Sequence, residues 1–130
     1  MRQWIVAGTL VGFFLMGAAV GLAHEGEAHE HGGVQTISGE VVDLACYLSE
    51  GAMGAQHRDC AQKCIASGLP VGIKSGDQIY LAVSGEHGPA NETLAPLAAK
   101  QVQAEGFVTE RNGVHLIAIK KVTVVTQGSN

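Results

Sequence analysis

The sequence predicts a mainly β domain with two short helices, built as a five-stranded, partly open Greek-key barrel of the OB-fold-like kind. Three observations predict it. Short runs rich in β-branched residues recur between Thr36 and Val125, separated by turn residues. Two pairs of these runs flank hairpin signals, Ser75-Gly76-Asp77 and Asn112-Gly113. One of the helical stretches falls late, just before the last hairpin, which fits the order of such a barrel.

Residues 1–23 read as a signal peptide. Arg2 is the one charge before Glu25, Trp4–Leu22 is nearly all apolar, and Gly21-Leu22-Ala23 is a small-x-small cleavage site. Were it retained, the same run would be nearly long enough for an N-terminal membrane anchor. Either way the rest of the chain is expected outside the cytoplasmic membrane, in a bacterial periplasm or secreted. Residues 24–35 form a short polar tail carrying His24, His29 and His31. With no apolar anchor it is expected to be disordered unless a ligand binds. Cleavage after Ala23 would expose His24 as the N-terminus. Its amine and imidazole then suit one Cu(II), with His29 and His31 adding nitrogens. The plainer reading of the tail is a solvated spacer.

The OB-like domain is expected over residues 36–126. Thr36–Leu48 reads as the first strand, and Gly39 within it marks a bulge or a close backbone approach. Residues 50–55 are a Gly-rich loop. A helix follows from about Gln56 to Ser67, with Asp59 in its first turn, Gly68 as the left-handed residue after it and Pro70 blocking continuation. Pro70–Lys74 and Gln78–Val83 form the first hairpin. Residues 84–91 are a surface loop, and 92–100 a short helix whose start Pro96 disturbs. Val102–Glu110 and Val114–Val125 form the last hairpin around Asn112-Gly113.

The chain carries 8 basic and 12 acidic residues. Loss of residues 1–23 removes Arg2 and no other charge. That acidity excludes a nucleic-acid footprint and argues against anionic lipid surfaces. It does not repel cations.

All three cysteines, Cys46, Cys60 and Cys64, lie in one stretch with His57. On the predicted helix His57, Cys60 and Cys64 are spaced i, i+3, i+7. At about 100° per residue they share an arc of roughly 60°. Cys46, before the loop, could fold back onto that stripe. Three thiolates and an imidazole suit tetrahedral zinc, and a subset of the thiolates suits Cu(I). The spacing lacks paired C-x2-C knuckles. The competing reading is a disulfide from Cys46 to Cys60 or Cys64, favoured by the compartment, with one thiol left over. A Cys60–Cys64 bond fits an intact helix poorly, because side chains four apart stand about 5–6 Å apart at Cβ.

The pattern Asp43, Cys46-Tyr47, Gly51, Gly54, His57, Cys60-Ala61, Cys64, Gly68, Pro70 and Gly72 resembles a group of small secreted bacterial proteins with OB-like domains. The resemblance covers about Ile37–Val125. It implies fold and compartment, and no activity.

No enzyme site is expected. A thiol oxidoreductase wants C-x-x-C, and the spacing here is C-x-x-x-C. There is no Gly-rich phosphate loop, carboxylate pair or placeable Ser/His/Asp set. The expected function is therefore periplasmic or secreted binding of copper or zinc. The metal residues would be Cys46, His57, Cys60 and Cys64, with His24, His29 and His31 in the tail. The alternative is a disulfide-stapled interaction module, or a haem or small-ligand binder using Tyr47, His87 or His115. Met53 is a further soft donor in the loop. Partners are expected to be a metal ion and another periplasmic protein, with a membrane only if the leader is retained.

Overall fold

A computed structural model describes residues 33–85 and 88–126. The readings of residues 1–32, including His24, His29 and His31, and that of His87 lie outside the described residues. Five strands form a closed barrel in the order β1-β2-β3-β5-β4. They are β1 (Val34–Asp43), β2 (Val71–Ser75), β3 (Gln78–Ser84), β4 (Gln101–Arg111) and β5 (Val114–Val124). All neighbours are antiparallel except β3 and β5, which run parallel. This is the expected mainly β, OB-fold-like barrel, with its ring closed where a partly open one was expected.

Closure depends on β1 serving two neighbours. Val34–Glu40 pair with β4, and Glu40–Asp43 pair with β2. The change of neighbour occurs beside Gly39, where a Cβ would strike the Lys74 carbonyl and Ile73 Cγ2. A residue without a side chain is needed for that approach, as the sequence suggested.

The first strand is shorter than the sequence predicts. It stops at Asp43, and Leu44–Glu50 form a helix, α1. The β-branched run ends at Val42, and Asp43 then caps the helix by accepting the Ala45 N–H at 3.0 Å. Gly51 ends α1 in the left-handed region at φ 71. A 3-10 turn over Ala55–His57 leads into α2, Arg58–Ala66. Helix α2 closes with a Schellman motif. Gly68 N–H donates to the Ile65 carbonyl and Leu69 N–H to the Cys64 carbonyl. The helix expected over 92–100 is a single α turn, α3 (Asn91–Leu94), followed by a 3-10 turn, Ala95–Leu97, that contains Pro96. Three short helices therefore accompany the strands.

The core is the barrel interior, with Ile37, Val41, Ile73, Val102 and Ile117 among its residues. One end is sealed by Ala61 and Ile65 of α2 and by Leu94, Ala95 and Ala98. Asn91 locks this seal in place, donating from Nδ2 to the Ile65 and Leu69 carbonyls at 2.7 Å each. No helix among the described residues is long and apolar enough to cross a membrane.

Candidate metal centre

The β1–β2 connection, Leu44–Pro70, carries the chemistry. In OB-fold barrels this connection is one of the loops that binds ligands. Three features hold it against the barrel. Leu44 N–H donates to the Pro70 carbonyl at 2.9 Å, closing its base. Ile65 is fully buried in the core. Glu40, itself buried on β1, accepts the Gly54 N–H and fixes the loop just ahead of His57.

Cys46 sits in the first turn of α1, three residues beyond the Asp43 cap. His57 ends the 3-10 turn, and Cys60 and Cys64 lie on α2. Ligand atoms of Cys46, His57 and Cys60 all lie within 4.8 Å of one another, and so do those of Asp43, Cys46 and Cys64. The Cys/His residues singled out in the sequence are thus close enough to hold a metal ion.

They do not meet at one point, as a single stripe of His57, Cys60 and Cys64 would require. His57 belongs to the 3-10 turn and not to the α-helix, so it departs from the expected spacing. Cys64, one turn beyond Cys60, falls in with Asp43 instead. Asp43 was not among the expected donors, although it opens the Asp43-x-x-Cys46 pattern. A capping carboxylate is directed at the first turn of its helix, and Cys46 is in that turn.

Two side-chain atoms in these triads are buried and have no hydrogen-bond partner, His57 Nε2 and Asp43 Oδ2. Asp43 is 1% exposed, and its other oxygen, Oδ1, is engaged by the cap. The three cysteines are free thiols, Cys60 exposed and the other two half-buried. Cys46 is pushed up to about 12. A hydrogen bond of its thiol to the Asp43 carboxylate is the largest cause, followed by burial and by the negative charge of Asp43 and of the other two cysteines. Burial also raises Cys64, with the Cys60 thiol adding to the effect. Neutral thiols are favoured at this crowded site until a cation arrives.

The other candidates are placed elsewhere or bear weakly on the cluster. His115 is on β5 with its ring 5.3 Å from that of Tyr80. Tyr47, on α1, is half-buried, and Met53 is 39% exposed in the loop. Met53 and His57 line a cleft with Glu40, Asp43 and Ala61 that holds about 150 Å³ of empty space. In comparisons with known proteins, no family model, curated protein or solved structure matches this chain.

Proposed function

We propose that this chain is an exported, non-enzymatic protein that binds copper or zinc through Cys46, His57 and Cys60. The observation that carries the reading is the convergence of those three donors within 4.8 Å, with His57 Nε2 buried and otherwise unpartnered. A buried polar atom without a partner is costly, and a metal–nitrogen bond would remove that cost. Thiolate and imidazole together suit zinc and copper.

Three protein ligands leave a fourth position for water or for a donor from another protein. That arrangement suits an ion which is exchanged, in sensing, storage or delivery to a second periplasmic protein. The apolar leader supports export, and the histidines of the tail support a second, weaker metal contact. A haem or comparable organic ligand is disfavoured by size, because the cleft's 150 Å³ falls below the roughly 300–1,000 Å³ of small-molecule pockets.

One observation favours a second reading. The Cys46 sulfur lies within 4.8 Å of a donor atom on each of the other two cysteines. A modest shift to the roughly 2.05 Å of a disulfide would give a stapled OB-like interaction module instead. The experiment that decides is purification of the exported protein without chelators. Bound metal is measured by elemental mass spectrometry, and thiols are counted after denaturation. Bound copper or zinc with three free thiols is the expected result. A metal-free protein with one free thiol would replace the metal reading with the stapled module.

A further inference from the structure

The donors around Cys46 fall into two triads that share only its sulfur. In a tetrahedral zinc site with bonds of 2.0–2.3 Å, neighbouring donors stand about 3.3–3.8 Å apart. Among the described residues no four donors meet even the looser limit of 4.8 Å. A single ion therefore cannot gather the whole set without a rearrangement. Each triad also contains one of the two buried, unpartnered side-chain atoms, His57 Nε2 in one and Asp43 Oδ2 in the other. One orphaned acceptor in each half is what two ion positions would leave when empty.

We propose that the cluster is a two-ion centre in which the Cys46 thiolate bridges two divalent cations of the zinc class. His57 and Cys60 complete one position, and Asp43 and Cys64 complete the other. The inference rests on the metal-binding reading above and extends it to stoichiometry and metal class. The charges agree. Three thiolates and one carboxylate carry four negative charges, which two divalent ions balance and one leaves half uncompensated. Binding releases the three thiol protons. The Asp43 carboxylate is a hard oxygen donor, acceptable to Zn(II) and poorly suited to Cu(I). For His57, ligation through Nε2 requires its proton on Nδ1.

The test uses the full-length exported chain with His24, His29 and His31 changed to alanine, so that the tail contributes no ions. The reduced protein is titrated anaerobically with Co²⁺, following sulfur-to-cobalt charge-transfer absorption, and with Zn²⁺, counted by native mass spectrometry. Two ions per chain are expected. Asp43→Asn should hold one, because asparagine caps a helix as well as aspartate does but lacks the charged ligand. His57→Ala should also hold one. Cys46→Ser removes the bridge and should weaken the remaining binding at least tenfold. Should Asp43→Asn fail to fold, Cys64→Ser removes a donor of the same triad without touching a cap, and it should lose the same ion. One ion at saturation in the starting protein, or two retained after both changes to the Asp43 triad, overturns the two-ion centre and leaves single-ion binding standing. An absence of any thiolate-bound ion overturns both readings.

Discussion

At one end of the barrel Gly76-Asp77 and Asn112-Gly113 each reverse the chain within two residues. At the other end β1 and β2 are joined by the whole of Leu44–Pro70, with two helices and a 3-10 turn. The short turns are decided locally. Asn112 at φ 53 and Gly113 at φ 80 occupy the left-handed region that a tight hairpin needs. The long connection takes its shape from contacts distant in sequence. Glu40 holds Gly54, Asn91 holds the end of α2, and Ile65 reaches the core. An end fixed by local preference is robust but chemically plain. An end fixed by tertiary contacts can bring Asp43, Cys46, His57, Cys60 and Cys64 together.

This contrast can be broken at several points. The largest effect is expected from Ile65→Ala, which empties a fully buried core position between the two cysteines of α2. It should cost about 2–5 kcal/mol in denaturant unfolding and weaken metal binding together with stability. Unchanged metal affinity in the folded variant would show that the site does not depend on the seal. Glu40→Ala comes next. It removes the acceptor for Gly54 N–H and should cost about 1–3 kcal/mol, with metal affinity falling because the approach to His57 loosens. Asn112→Ala should cost about 1 kcal/mol, since alanine tolerates a left-handed backbone poorly. Its metal titration should match that of the parent, and any shift would mean that the two ends are coupled.

The smallest effect is a pH dependence confined to the site end. The Cys46 thiol stays protonated to about 12 when folded, against an ordinary value of 9.0. Its contribution to stability is therefore complete below pH 9 and is lost as pH rises from 9 towards 12. Urea midpoints of the reduced, metal-free protein should fall across that window. Cys46→Ser should flatten the fall, and an equally steep fall in that variant would assign the effect to other groups.

The same contrast explains what could be read from the sequence. All five strands and both hairpin turns were legible, because alternation, β-branching and the Gly76 and Asn112-Gly113 signals are local. The extent of the helix before Gly68 was nearly right, because its terminating glycine and Pro70 are also local. The end of β1 was not legible. Leu44–Glu50 is too short for a period of 3.6 to be told from a period of 2, and the N-cap role of Asp43 emerges only once the chain turns there. The cysteines and His57 could be named as donors from residue type. Their division into two groups could not, because it depends on a 3-10 turn at Ala55–His57 that no residue in it specifies. Asp43 could have been found from its place three residues before Cys46, where a cap and a first-turn thiol meet.

The closed ring has a consequence for how copies of this chain meet one another. Every strand has a hydrogen-bonded neighbour on both sides, β1 by changing neighbours beside Gly39. The folded domain thus offers no continuous free strand edge on which another chain could add and propagate. A side chain at Gly39 would push β1 away from β2 and open that seam. The first symptom expected of such a substitution is intermolecular strand pairing, seen as concentration-dependent aggregation.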